Sequence, residues 1–195
     1  MAIKSVPLSV NRQTIEKKVE EDRDEGGGFL FFKTEPEKVS YFCLVGFPSV
    51  HIKYEHPEKI NKTTVMKETS TIIEPWLGEG RTNMPNESAA DQVKYQGFST
   101  LQKGYYISWS VMDESPESFA ENFLASTKKL GGSPEDVEIK DVCYLPRFIV
   151  KLERSDEERY LVYNFKGEKI ELISERLTND SYYRERVEKN MSEIP

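Results

Sequence analysis

Apolar and polar residues alternate along most of this chain, and one segment breaks the alternation with helical spacing. Val50-His-Ile-Lys-Tyr-Glu55 sets Val50, Ile52 and Tyr54 on one face and His51, Lys53 and Glu55 on the other. That is the period of a half-buried strand. His56-Pro57 ends this run, because a proline cannot continue a central ladder. Short apolar runs at Phe29–Lys33 and Val39–Phe47, the second closed by Pro48, predict two earlier strands, and the β-branched stretch Thr63–Trp76 predicts another. Val93–Ser99 and Tyr105–Val111 read as a hairpin around Gln102-Lys-Gly104, with Tyr105, Ile107, Trp109 and Val111 on one face. Residues Leu77–Asp91, carrying Gly78, Gly80 and Pro85, read as a loop of a length usually reserved for function or motion.

The period then changes to three-four. Ser115 suits an N-cap and Pro116 a first helical position. Phe119, Phe123, Leu124, Thr127 and Leu130 form the stripe, and Gly131-Gly132 supplies a left-handed stop. Beyond this helix the runs Val137–Leu145, Phe148–Arg154, Glu158–Phe165 and Glu168–Ser174 are joined by short turns, which imply antiparallel neighbours. Arg176–Met191 predicts a C-terminal helix. The expected fold class is therefore α+β: a single, mainly antiparallel sheet with a helix over about 116–130 packed on one face and a second helix at the C-terminus. The expected core is Phe31, Phe42, Leu44, Ile52, Ile107, Trp109, Phe119, Phe123, Leu124, Phe148, Val150, Leu161, Tyr163 and Leu172. Residues 1–28 read as a charged N-terminal arm, closed by Gly26-Gly-Gly28, and residues 29–195 as one domain. Within the arm only Ile15 and Val19 are apolar, spaced for a short surface helix with one weak stripe.

Composition narrows the function classes. The formal charge of the 195 residues is −7, which opposes binding to phosphate backbones and to anionic membrane surfaces. No apolar run approaches the ~18 residues that span a bilayer, so neither nucleic acid nor membrane insertion is expected. The N-terminus lacks a signal-peptide core. That favours a cytoplasmic protein, with a secreted or envelope-associated mature domain as the alternative. Cys43 and Cys143 each sit among aromatics in a strand-like run and are expected to be reduced and buried, a disulfide being the alternative.

Motifs that carry chemistry are missing. His51 and His56 are five apart, on opposite faces of a strand, and read as solvent-facing or turn residues. Two histidines rule out an all-histidine zinc site with three ligands, and there is no Cys-x-x-Cys. The glycine clusters at 26–28 and 78–80 lead into a strand and a loop, where a phosphate cradle needs a helix. No nucleophile elbow is present. No catalytic residue, cofactor or metal site is assigned, and a non-enzymatic role is favoured. The one surface feature with binding character is a set of large side chains flanking the long loop: Trp76, Met84, Tyr95 and Phe98.

The order Phe47-Pro48, strands, Tyr105-Tyr-Ile-Ser-Trp-Ser-Val111, Ser115-Pro116 with its helix, and then Val137–Ser174 resembles the PsbP-like superfamily over about residues 39–176. The charged N-terminal arm and the loop at 77–91 depart from that pattern. The resemblance implies a binding or assembly role without catalysis and carries no site residue over. The expected function is a non-catalytic protein-binding or assembly module. The alternative is a small-ligand carrier or enzyme with an apolar pocket between sheet and helix.

Overall fold

The structure is a computed structural model that describes residues 4–23, 26, 35–75, 94–97, 104–128, 137–155 and 157–193. Its spine is a pair of long antiparallel strands, β2 (Lys38–Ile60) and β6 (Val137–Arg154), in register from Lys38↔Glu153 to Tyr54↔Val137. The partners flanking this pair change halfway along. On the outer side of β2, β5 (Tyr105–Ile107) runs parallel at Val45 and Gly46, and β3 (Thr63–Ile73) runs antiparallel from Val50 onward. On the outer side of β6, β7 (Glu157–Tyr163) pairs with residues 148–154, and β1 (Lys4–Ser5) runs parallel at Tyr144. The short strands β4 (Gln96–Gly97) and β8 (Met191–Glu193) close the ends on β1 and β5. The sheet is thus mixed, eight-stranded and curled, which corrects the expectation of a single, mainly antiparallel sheet with one packed helix.

Three prolines explain much of the difference. Pro48 and Pro146 were expected to end strands, yet both lie inside them, at Pro48↔Tyr144 and Gly46↔Pro146. The Tyr144 carbonyl accepts from Val6 N–H of the β1 segment at 3.0 Å, so Tyr144 turns its polar backbone away from β2. By alternation, Pro146 does the same and Pro48 turns away from β6. Each missing N–H therefore falls in the gap where one flanking strand gives way to the next. Pro57 faces the β6 side of β2, where pairing to β6 has already ended at Tyr54. In none of the three is a ladder bond lost.

Helices cover both faces. On one face α1 (Arg12–Asp22), capped by Asn11 accepting from Thr14 N–H, inserts Ile15 and Val19 among Leu44, Phe148, Val150 and Leu161. Farther along that face α2 (Pro116–Lys128) sets Phe119, Phe123 and Leu124 on Val50, Ile52 and Ile73. Its N-cap is Ser115, whose Oγ accepts from Ser118 N–H as the sequence predicts. The predicted stop at Gly131-Gly132 lies outside the described residues. On the opposite face α3 (Glu171–Asn179) and α4 (Ser181–Asn190) bury Ile173, Leu177, Tyr183 and Val187 against Cys43, Val45 and Phe47.

Three local expectations are corrected. Glu168–Ser174 is not a strand: α3 begins at Glu171, and the single helix expected at 176–191 is two, broken at Asp180. Among the described residues Tyr105–Ile107 pairs with β2 and β8, and Gln96–Gly97 pairs with β1, in place of the expected hairpin between them; Trp109–Val111 is a 3-10 turn. Of the expected core, Phe42, Trp109 and Leu172 are half-buried, Phe31 is outside the described residues, and the rest are buried.

The α3 helix also closes a sheet edge. Ser174 Oγ accepts from Val162 N–H and Thr178 Oγ1 accepts from Tyr160 N–H, each at 3.0 Å. Hydroxyls one helical turn apart satisfy donors two residues apart on β7. An edge covered this way cannot recruit another strand.

Candidate functional site

Beyond Tyr54, β2 and β3 pair only with each other among the described residues, from Glu55↔Glu68 to Ile60↔Thr63. Six residue pairs at about 3.3 Å per residue carry this ribbon roughly 20 Å past the shared sheet. Its tip is Asn61-Lys62, both left-handed at φ 55° and 83°, the conformation of the two-residue turns that suit the twist of a hairpin. Residues 61–68 are all exposed, and Ile60 (51%), Val65 (38%) and Met66 (53%) are among the most exposed large apolar side chains of the described protein. Diagonal ion pairs, Lys53–Glu68 at 2.6 Å and Lys67–Glu58 at 3.3 Å, brace the two strands. The six formal charges of residues 55–68 cancel, three acids (Glu55, Glu58, Glu68) against three lysines (Lys59, Lys62, Lys67), on a chain whose total is −7.

A second region carries buried polar groups. The face of β2 holding Phe47, Ser49 and His51 continues across β6 through Arg147, Leu145, Cys143 and Asp141, and across β3 through Ser70 and Ile72. His51 is not at the surface, as the sequence suggests, but 6% exposed. Its Nε2 lies 2.7 Å from Ser70 Oγ and its Nδ1 2.7 Å from the Tyr95 hydroxyl. Either neutral tautomer satisfies both nitrogens: with Nδ1–H the ring donates to Tyr95 and accepts from Ser70, with Nε2–H the reverse, and the Tyr95 hydroxyl also lies against Cys143. Burial pushes the Cys143 thiol up to about 12, with the Tyr95 contact opposing the rise.

Hydroxyl, imidazole and a third orienting group are the parts of a nucleophile relay. Here, however, Ser70 is 2% exposed and closed over. The relay satisfies polar atoms inside the sheet face; it does not present an oxygen to a substrate. Farther along the same face Glu74 and Arg147 form an ion pair with both side chains at or below 2% exposure. The guanidinium also lies 4.9 Å from the Phe47 ring centroid. Burial pulls the Arg147 pKa down and the neighbouring Glu74 carboxylate opposes the fall. Tyr183 of α4 lies in the same field; burial first, and the Glu74 charge second, raise its pKa.

In front of Tyr183 is a cleft of about 210 Å³ bordered by Pro75, Met112, Arg176 and Arg186. Arg176 lies over the Tyr183 ring at 5.7 Å, and Arg186 reaches Asp113 at 3.3 Å. Asp113 and Glu114 complete its lining, the Glu114 carboxylate accepting from Asn122 at 2.8 Å. Among the described residues, no three His, Cys, Asp or Glu side chains converge as metal ligands would. No described helix is long and apolar enough to cross a membrane.

Of the four residues expected to form a partner patch, Tyr95 is half-buried over His51, held there by the pairing of β4 with β1. Trp76, Met84 and Phe98 lie outside the described residues. Sequence reasoning missed the ribbon because Pro57 reads as a strand terminator; the asparagine of Asn61-Lys62 was the available turn signal. Cys43 and Cys143 are both free and buried. Cys143 opposes Ser49, six positions along β2 from Cys43, or about 20 Å at strand rise, far beyond the span of a disulfide. Comparison of the chain with protein-family models, with curated proteins and with solved structures finds no match.

Proposed function

We propose that this chain is a non-catalytic protein-binding or assembly module that engages its partner through the β2–β3 ribbon. The observation that carries the reading is the ribbon itself, six pairs long and exposed along residues 61–68. An isolated two-stranded hairpin is only marginally stable in water. One that places Ile60, Val65 and Met66 in solvent gains most when a partner covers it. The reactive side chains weigh the same way: the His51–Ser70 relay and the Glu74–Arg147 pair are buried and committed to one another. The assembly role implied by the PsbP-like resemblance belongs to this proposal and adds no residue to it.

Replacing residues 56–67 by an Asn-Gly turn tests the reading. The shortened chain should keep its cooperative melting while failing to pull down the partner that the intact chain cross-links through a photoreactive group at position 66. Capture of the same partner by intact and shortened chains through some other surface would overturn it. The alternative, a small-ligand carrier or enzyme with an apolar pocket between sheet and helix, predicts a ligand that survives purification and adds a discrete mass in native mass spectrometry.

A further inference from the structure

We infer that the ribbon's partner is a second copy of this chain, joined edge to edge through β3 with Met66 on the two-fold axis; this rests on the binding-module reading above. Three sheet edges in this protein differ in how they are finished. The outer edge of β7 is closed by Ser174 and Thr178. The β2 edge of the ribbon carries Pro57, whose nitrogen faces outward and cannot donate. Among the described residues, the β3 edge of the ribbon has neither device. The even-numbered residues of β2 point their backbone groups at β3, so Thr63, Val65 and Lys67 point inward and Thr64, Met66 and Glu68 point outward. Those three residues are exposed, no proline interrupts them, and they offer N–H and C=O groups in the spacing a new strand needs.

The sequence of this edge selects its occupant. Two copies meeting antiparallel about Met66 pair Met66 with the partner's Met66, Thr64 with the partner's Glu68, and Lys67 with the partner's Val65. Every outward residue then meets an outward residue, so each of those edge pairs exchanges two backbone hydrogen bonds. No like charges stand directly opposite. Pro57 and Met66 are cross-strand partners, so the joined ribbons carry an apolar row from Pro57 through both methionines to the partner's Pro57. Of the neighbouring registers in which outward residues still meet, those centred on Lys67 and on Glu68 set like charges face to face, which is destabilising, and the one centred on Val65 parts the two methionines and breaks the Pro57–Met66 row. The ribbon is charge-neutral on an acidic molecule, so two copies that meet there bring no net like charge to the contact.

Sedimentation velocity on the purified full chain tests the inference. At tens of micromolar the mass should be twice the 22.6 kDa of the chain. Because the −7 bodies repel and the hydrogen-bonded edge does not, dimerisation should strengthen when salt rises from about 0.05 to about 0.5 M, over which the Debye length shrinks from about 14 to about 4 Å. Met66→Pro removes an outward N–H and leaves the β2–β3 ladder intact. It should weaken dimerisation by at least about tenfold with unchanged circular dichroism. Met66→Lys, which keeps the backbone donor and places two charges on the axis, should do the same. Tyr182→Ala, removing an exposed aromatic on α4, should not. A chain that is monomeric at every concentration and salt, or a dimer that persists in both Met66 variants, overturns self-pairing. A monomeric chain that still cross-links a different protein through position 66 overturns self-pairing and leaves the binding-module reading standing.

Discussion

Neutralising the buried Glu74–Arg147 pair from one side should be among the most damaging conservative changes available in this protein. Glu74→Gln keeps the shape and removes the charge, leaving a guanidinium that is 1% exposed with no counter-charge. Two of its nitrogens, Nε and Nη1, already lack a hydrogen-bond partner among the described residues. Removing one member of such a pair typically costs about 3–5 kcal/mol, because the remaining ion keeps its desolvation penalty and loses its compensation. With a slope of about 2 kcal/mol per M for a domain of this size, the urea midpoint should fall by roughly 1.5–2.5 M. Arg147→Met should cost a similar amount by stranding the carboxylate. The double variant Glu74→Leu/Arg147→Met removes both charges together, and should recover most of the loss or exceed the parent by about 1–4 kcal/mol. Urea unfolding followed by circular dichroism at 222 nm gives all four corners of the cycle. Single variants that cost less than about 1 kcal/mol, or a double variant whose loss is the sum of the two, would show that the pair is not buried and coupled as described.

Other expectations concern the cores and the thiols. Phe119→Ala should cost about 3–5 kcal/mol by thermal or urea unfolding, since the ring is 8% exposed between α2 and β2 and stands 6.1 Å from Trp109; an unchanged midpoint would remove α2 from the core. Ser174→Ala leaves Val162 N–H unmatched inside the protein and should cost about 1–3 kcal/mol, with Ser174→Thr, which retains the hydroxyl, as the control. Burial holds the Cys43 thiol up at about 11 and Cys143 at about 12, so neither should react with a thiol reagent at pH 8 until the chain is denatured, when both should. Both are acids whose folded pKa lies above the unfolded value. Their contribution is complete below about pH 8.5 and is lost as pH rises through 11 and 12, at up to about 1.4 kcal/mol per pH unit for each thiol. Replacing both by Ala should flatten that alkaline slope in urea midpoints measured from pH 8 to 11.

Helix α2 was legible because its signals lie within a turn or two of one another: Ser115 as cap, Pro116 at the first position, and Phe119, Phe123 and Leu124 on one stripe. The alternation at Val50–Tyr54 was legible for the same reason, as were the turns at Ser155 and Gly167, both left-handed at φ 50° and 77°. Helix α3 was not. Its N-cap, Ile170, makes no side-chain capping bond, and Lys169–Leu172 alternates as a strand would. What holds that segment helical is the match of Ser174 and Thr178 to the edge of β7, a contact that does not exist until the sheet does.

The prolines and His51 mark the boundary between the two kinds of information. Sequence alone determined the period of each segment, the chain's acidic charge and the absence of familiar catalytic spacing. It also determined that Pro48, Pro57 and Pro146 lack a donor. Whether that lack ends a strand depends on which way the nitrogen faces and whether a neighbour stands there, and the neighbours are β1, β3, β5 and β7, brought from elsewhere in the chain. Likewise, alternation assigned His51 to a polar face, but only register placed Ser70 and Tyr95 where they could satisfy its two nitrogens and allow burial. A backbone direction or a buried polar atom is decided by its partner in space, and no pattern local to the residue contains that partner.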